Sequence, residues 1–342
     1  MKNVKPLLRR MLSFLTTEKL FYEIIKRATE IYLPFRLNRD YNAKSFHKSK
    51  YPKQVIYMAD GKARHGGLSD RLRAIVSLFE SSIETQSQFK IFFTNPFRLE
   101  NFLVVNHYDW VVSQNDIIYS KINSKPIVVY STLTETSSAM QAYKEKERVE
   151  NKIKNNKQIQ LHFYSNVGYG DSNFKKNFDY LFKPSPSLQF QLDLNLSLIG
   201  TNYISIVFRF QNLLGDFFEG NYPVLKSTED KEILISKCIN AISKIHNDNP
   251  ETKKILVTSD SDSFINAVNN ISYIYTIPGK IVHMDYTDGA SDEVYMKSFV
   301  DLFMLSKSEK VYLVRTPLML KSGFAYRASL LGGIPYKEIE LN

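Results

Sequence analysis

An arginine interrupts an apolar and aromatic stretch near its carboxyl end, in the sequence YISIVFRF of Tyr203–Phe210. The stretch predicts a buried β-strand, and a guanidinium beside such a strand needs an anionic partner. In α/β sheets, ligands bind at the carboxyl ends of the strands. Two interpretations of Arg209 follow: a contact to a diphosphate and a structural salt bridge.

A glycine pair, Gly66 and Gly67, lies between a strand predicted to end near Met58 and a helix predicted to begin near Leu68. Glycines let the backbone approach a ligand closely, and a helix N-terminus offers free N–H groups to phosphates or hydroxyls. The surrounding basic donors are Arg64, His65, Arg71 and Arg73. The motif indicates either an anion site or a tight turn with surface arginines.

A third polar segment, TSDSDS at Thr258–Ser263, follows the strand predicted over Lys254–Ser259. The spacing of Asp260 and Asp262 is compatible with metal binding, but Asp and Ser after a strand are also good helix caps. A loop facing a nucleotide is the third interpretation. The six histidines have no metal-binding spacing, so the sequence predicts no metal site.

The last candidate segment contains Asp301, on an apolar helix face, and Ser322-Gly323 at the start of a predicted helix. A helix start that follows a strand suits an anion. A carboxylate among apolar residues is either paired within the protein or directed at a ligand N–H group.

Short strands and helices alternate after Pro52, which predicts parallel α/β sheets. The prolines of FKPSP place a domain boundary near residue 186. We therefore expect a basic helical segment (1–53) and two α/β domains, over 54–186 and 187–342, that face a cleft. Strands are predicted over 55–58, 90–94, 104–105, 126–130, 159–165, 203–210, 254–259, 280–284 and 310–315, and helices over 68–80, 135–158, 187–198, 230–246, 264–270, 291–306 and 323–331.

The net charge of +10 lies almost wholly in residues 1–53, which hold 13 Lys/Arg and 4 Asp/Glu. A near-neutral remainder argues against nucleic acid as a partner. Apolar residues at helical spacing predict amphipathic helices here, from Leu7, Leu8, Met11, Leu12 and Leu15 and from Phe21, Ile24, Ile25, Ala28 and Ile31. Such helices either rest on an anionic membrane surface through residues 1–30 or pack on the protein body.

No apolar run approaches the length of a signal-peptide core or a membrane span. The single cysteine, Cys238, rules out an internal disulfide and fits a reducing compartment. We expect a cytoplasmic protein, peripheral on the inner face of the membrane if the basic segment binds lipid.

Four segments, taken in chain order, resemble the motifs of the fucosyltransferase superfamily, which has the GT-B fold of two Rossmann-like domains. The segments are HGGLSDRLRAIVS, YISIVFRF, TSDSDSF, and VDLFMLSKSEKVYLV with SGFAYRASLLGG. The resemblance covers roughly residues 55–342. Val207 and the Ser69-Asp70-Arg71 run depart from the family pattern. The resemblance implies an inverting, metal-independent transferase that moves fucose from GDP-fucose to a cell-surface glycan precursor or lipid-linked glycan.

The resemblance also implies that the N-terminal domain (54–186) lies on the acceptor side and that the C-terminal domain (187–342) binds the nucleotide sugar, and it implies roles for individual residues. Arg209 would bind the β-phosphate of the donor and stabilise the leaving diphosphate, and Asp301 would read the guanine edge. The other donor-site positions that it implies are Gly66, Gly67, Arg71, Asp260, Ser322 and Gly323. For the general base we predict Asp216 first and His65 second. The alternatives are a GT-B-like transferase with another nucleotide sugar or a non-sugar donor, and a non-catalytic membrane- or nucleic-acid-binding protein.

Overall fold

The computed structural model describes residues 18–42, 52–131, 137–169, 171–216, 222–280, 282, 284 and 291–342, with the backbone alone for residues 18–23. By contacts the chain divides into two compact units. Unit 1 comprises Met1–His65, Arg71–Phe93 and Trp110–Gly170, and unit 2 comprises Gly66–Asp70, Thr94–Asp109 and Asp171–Asn342.

These units do not follow a single boundary at residue 186. A short antiparallel pair joins β3 (Leu103–Val105) to β6 (Phe182–Pro184), and both strands belong to unit 2. Both strands precede residue 186, so unit 2 takes in two segments of the predicted N-terminal domain, Thr94–Asp109 and residues 171–186. The division into folding domains at residue 186 stays a prediction.

Unit 1 contains a four-stranded parallel sheet with the order β2-β1-β5-β4. Its strands are nearly continuous buried runs, as expected when helices cover both faces of a parallel sheet. The strands are β1 (Gln54–Ala59), β2 (Gln88–Phe93), β4 (Ser124–Val129) and β5 (Gln160–Ser165), and the helices are α1 (Glu18–Leu37), α2 (Leu68–Glu84), whose first three residues belong to unit 2, and α3 (Ala139–Lys154).

Unit 2 contains a five-stranded parallel sheet with the order β11-β10-β7-β8-β9. Its strands are β7 (Tyr203–Phe208), β8 (Lys254–Ser259), β9 (Ile274–Tyr275), β10 (Val311–Arg315) and β11 (Tyr336–Glu340). Its helices are α4 (Phe174–Leu181), α5 (Pro186–Ile199), α6 (Thr228–Asn247), α7 (Asp262–Val268), α8 (Asp292–Ser306) and α9 (Gly323–Gly332).

The strand order of unit 2 reverses at its centre. From β7 the chain builds outward through β8 and β9, and it then returns to the other side of β7 to add β10 and β11. The carboxyl ends of β7 and β10 therefore flank a topological switch point, which is where doubly wound sheets hold ligands.

Most predicted elements are confirmed within one to four residues of their bounds. The strand expected over 203–210 ends at Phe208, which leaves Arg209 in the connection that follows. The strand expected over 280–284 is wrong for Lys280, Val282 and Met284, which lie outside any strand; residues 281 and 283 lie outside the described part. The edge strand is β9 instead, and α4, β6 and β11 were not predicted.

The predicted N-terminal helix exists from Glu18, but it buries a different face. Leu33 and Leu37 are buried, whereas Ile31 is 78% exposed. A polar group anchors the helix, because the Glu30 carboxylate accepts hydrogen bonds from the Tyr130 N–H (2.7 Å) and from Arg148 (2.9 Å). The predicted apolar positions Leu7–Leu15 lie outside the described residues.

Candidate functional site

A cavity of about 220 Å³ lies at the carboxyl ends of β7 and β8 in unit 2. It is lined by the ends of both strands, by α8, and by the N-terminal turns of α2 and α9. Six of the predicted site residues meet around it: Gly67, Arg209, Asp260, Asp301, Ser322 and Gly323. Four do not line it: His65, Gly66, Arg71 and Asp216.

Arg209 and Asp260 form an ion pair at this edge of the sheet. The Arg209 Nη1 lies 3.0 Å from the Asp260 Oδ2, and the Asp260 side chain is only 2% exposed. Asp260 also accepts hydrogen bonds from the backbone N–H groups of Phe210 (2.8 Å) and Gln211 (2.7 Å). Asp260 therefore fixes both the guanidinium and the turn that follows β7.

The structure thus favours a positioning role for Asp260. Burial raises the pKa of its carboxyl above the usual value, and Arg209 and the two backbone donors act against that rise. Gln211 needs such support, because its φ of +54° lies in the left-handed region. The salt bridge anticipated as one interpretation of Arg209 exists, and the arginine also lines the cavity.

The N-terminus of α9 opens onto the same cavity. The Ser322 Oγ accepts a hydrogen bond from the Phe324 N–H (3.3 Å), so Ser322 is the N-cap of α9, whose start at Gly323 the sequence predicted. The Ser69 hydroxyl donates to the Gly323 carbonyl oxygen (3.3 Å). This helix end adds a positive potential beside Arg209, which suits an anionic ligand.

The two glycines before α2 have different structural requirements. Gly66 has a φ of +85°, and a β-carbon there would collide with the Asp70 carboxylate. Gly67 lines the cavity, and a β-carbon there would meet nothing within 4 Å. Gly66 is therefore required by the turn, whereas Gly67 leaves open space at the cavity.

Arg71 and His65 belong to unit 1. Arg71 is buried, with its guanidinium carbon 5.3 Å from the centre of the Phe93 ring. The buried His65 places its Nδ1 3.1 Å from the Ser165 carbonyl oxygen and 3.3 Å from the Tyr57 hydroxyl. Their assignments as donor-binding residue and second candidate base stay predictions.

Asp216, the first candidate base, accepts hydrogen bonds at the start of α7. Its Oδ2 lies 2.8 Å from the Ser261 hydroxyl and 2.6 Å from the Ser263 N–H. This places the carboxylate at a helix N-terminus outside the cavity lining. Its assignment as base stays a prediction.

Asp301 lies on α8, one helical turn after Lys297. The Lys297 Nζ is 2.7 Å and 2.9 Å from the two carboxylate oxygens, and both residues are buried. Lys297 was not among the predicted site residues. Its i,i+4 spacing to Asp301 is the signal that would have identified it.

Among the described residues, no group of three or more His, Cys, Asp or Glu side chains is arranged to hold a metal ion. In the same part of the chain, no helix is both long and apolar enough to cross a bilayer.

No protein-family model matches the chain, and no curated protein sequence matches it. Solved structures, in contrast, do match this chain. FUT1 from Arabidopsis thaliana, a mutant in complex with GDP, is 12% identical, with a TM-score of 0.51 over 95% of this chain and 79% of that one. The NodZ alpha-1,6-fucosyltransferase co-crystallized with GDP is 12% identical, with a TM-score of 0.51 over 82% and 93%.

Fucosyltransferase NodZ from Bradyrhizobium gives the same identity and TM-score over 82% of this chain and 94% of that one. At 12% identity the likeness concerns the fold. The chain has the α/β fold of these fucosyltransferases, with two parallel sheets, as the motif resemblance predicted.

Proposed function

We propose that this chain is a glycosyltransferase that uses a GDP-sugar, GDP-fucose in the first place, and that its donor site is the cavity of unit 2. The observation that carries the proposal is the meeting of three groups in this cavity, at the carboxyl end of β7: the Arg209 guanidinium, the N-terminus of α9 and the Asp301 carboxylate. Two of them suit a diphosphate, and the third suits N–H groups of a base.

In the proposed reaction, the bond between the sugar C1 and the β-phosphate oxygen breaks while the acceptor hydroxyl oxygen bonds to C1. The electron pair of the broken bond goes to the diphosphate, and a base takes the hydroxyl proton. Arg209 and the N-terminus of α9 would stabilise the negative charge on the leaving diphosphate. Attack from the face opposite the leaving group inverts the anomeric centre, and the guanidinium takes the part that a metal ion has in other transferases.

The structural neighbours with a TM-score of 0.5 or more support this proposal by their fold and by the GDP named with two of them. GDP-fucose is the finer part of the proposal and rests on the motif resemblance. A glycan precursor or lipid-linked glycan is the proposed acceptor.

Thermal unfolding with GDP, UDP, CMP, dTDP or ADP, each with and without Mg²⁺, tests the donor site. A ligand at 100 times its Kd stabilises by about 2.7 kcal/mol, which for domains of this size is a rise in Tm of roughly 5–10 °C. We expect a GDP-selective, metal-independent shift that Arg209→Ala loses and that the exposed control Arg39→Ala keeps.

A rise in Tm with UDP or dTDP in place of GDP would support a transferase but contradict GDP-fucose as its donor. No shift with any nucleotide would contradict the enzyme proposal. Release of GDP from GDP-fucose, with inverted product, then tests the reaction, and Asp216→Asn and His65→Gln compare the two candidate bases.

We further propose that the protein binds its acceptor at an anionic membrane surface. Ile24, Ile31 and Phe35 are 39%, 78% and 72% exposed and lie on one face of α1, since positions 7 and 11 residues apart are nearly aligned. The sequence on either side of this helix, residues 1–17 and 38–51, contains eight Lys/Arg and one Asp. An apolar face between basic segments suits anionic lipid.

Co-sedimentation with vesicles tests the membrane proposal. Binding to phosphatidylglycerol vesicles, weaker at high salt and absent with phosphatidylcholine alone, is expected for the full chain. The pair Ile31→Asp and Phe35→Asp should reduce it at least tenfold, whereas the control Ile83→Asp, at an exposed position of α2, should not. Equal loss in the control, or no binding by the unaltered protein, would refute it.

A further inference from the structure

A buried lysine and aspartate share one face of α8, and each borders a different cavity of unit 2. Asp301 lines the proposed donor cavity, whereas Lys297 lines a second cavity of about 810 Å³. Their side chains are 8% and 7% exposed. Lys297 thus contacts a carboxylate that lines the donor cavity without lining that cavity itself.

The lysine is held by its surroundings. A β-carbon on Gly279 would lie 3.0 Å from the Lys297 Cδ, and Gly279 itself has a φ of +115°. The backbone at Gly279 therefore packs close to the lysine stem, and this close approach limits the positions that the ammonium group can take.

While it is in contact with Lys297, the Asp301 carboxylate can still accept further hydrogen bonds. Lys297 donates to both oxygens, at 2.7 Å and 2.9 Å. An ionised carboxylate has about four lone-pair directions, so roughly one remains on each oxygen. Two neighbouring acceptors fit a base edge that presents two neighbouring N–H donors, which in guanine are N1–H and the 2-amino group.

The lysine also favours the ionised form of the carboxyl. Burial raises the pKa of Asp301, and Lys297 is the charge that opposes this rise. A carboxyl that took up a proton would present an O–H donor to a base that itself presents donors, and the fit would be lost.

We propose that Lys297 is a positioning residue for base selection: it holds Asp301 as an acceptor-only pair of oxygens for a purine with adjacent N–H donors. This inference rests on the proposed function, because it takes the cavity to be the donor site. It assigns selectivity to a residue that need not touch the nucleotide.

The test compares the affinities of GDP, IDP and UDP by calorimetry. IDP lacks the 2-amino group, so the unaltered protein should bind GDP about tenfold or more tightly than IDP. Lys297→Met should weaken GDP at least tenfold and bring the GDP:IDP ratio close to one. Lys297→Arg, which keeps a charged donor, should restore much of the ratio, and the exposed Lys307→Met should leave it unchanged.

Removal of one member of a buried pair can prevent folding, and a second variant addresses this. Lys297→Met combined with Asp301→Asn contains no unpaired buried charge, and it should fold, bind diphosphates and show no preference for GDP over IDP. Selectivity retained in either Lys297→Met variant would overturn the inference while leaving the proposed function intact. If no nucleotide binds the unaltered protein, the proposed function itself fails.

Discussion

Replacing Asp260 should test whether the turn after β7 depends on one carboxylate. This side chain accepts two backbone hydrogen bonds, at 2.8 Å from Phe210 and 2.7 Å from Gln211, and pairs with Arg209 at 3.0 Å. In Asp260→Ala all three donors lose their contact with this carboxylate at once. Gln211 would also lose the contact that supports its left-handed backbone conformation.

The expected loss of stability follows from these contacts. Breaking a buried ion pair by removing one partner costs about 3–5 kcal/mol, and each buried donor left unsatisfied costs about 1–3 kcal/mol. These terms share one group and do not add, and Arg209 is 16% exposed, so water can solvate part of it. We therefore expect about 3–4 kcal/mol for Asp260→Ala and about 1–2 kcal/mol for the isosteric Asp260→Asn, which keeps one acceptor oxygen.

Urea unfolding followed by fluorescence, with nucleotide binding measured on the folded fraction, is the assay. Asp262→Ala is the matched control, because Asp262 lies two residues away, is exposed and forms the first turn of α7. Its loss should cost under about 1 kcal/mol and leave GDP binding unchanged. Asp260→Ala should weaken GDP binding as well, since it releases Arg209.

Equal effects of the two substitutions would refute this reasoning. A Mg²⁺-dependent loss in Asp262→Ala would point instead to the metal interpretation of the Asp-x-Asp spacing. A stable Asp260→Ala protein that still binds GDP would mean that the Arg209–Asp260 pair contributes neither stability nor positioning.

Two further predictions concern the glycine pair and a buried histidine. Gly66→Ala should destabilise the protein by about 1–3 kcal/mol, because of its φ of +85° and the collision with Asp70, whereas Gly67→Ala should change stability by less than about 1 kcal/mol; equal unfolding midpoints would contradict this. His162 titrates with a pKa lowered to about 3 by burial and, less, by Lys62. The unfolded chain takes up this proton below about pH 6.5 and the folded chain does not, so the free energy of unfolding should fall by up to about 1.4 kcal/mol per pH unit between pH 6 and 4. His162→Gln should reduce this slope, and the same slope in the variant would contradict the prediction.

Much of the local structure could be predicted from the sequence, because it follows from local patterns. Buried parallel strands are continuous apolar runs, and YISIVFRF and the strand at Lys254–Ser259 have that pattern. The N-cap at Ser322 likewise follows from a serine before a helical pattern. The edge strands β9 and β11 were misplaced or missed, since they are short or only half-buried and gain their pairing from neighbours.

The sequence predicted which residues belong to the candidate site, but not which of them pair with one another. The sequence determined that Arg209 lies near the carboxyl end of a strand, that Asp260 follows the next strand and that Asp301 lies on an apolar helix face. The tertiary structure decided that Asp260 pairs with Arg209, that Asp216 caps α7, and that the i,i+4 pair of Lys297 and Asp301 is buried. The physical reason is that strand order and helix packing bring together residues far apart in the chain, up to 254 positions for Ser69 and Gly323, and burial then requires each charge to find a partner.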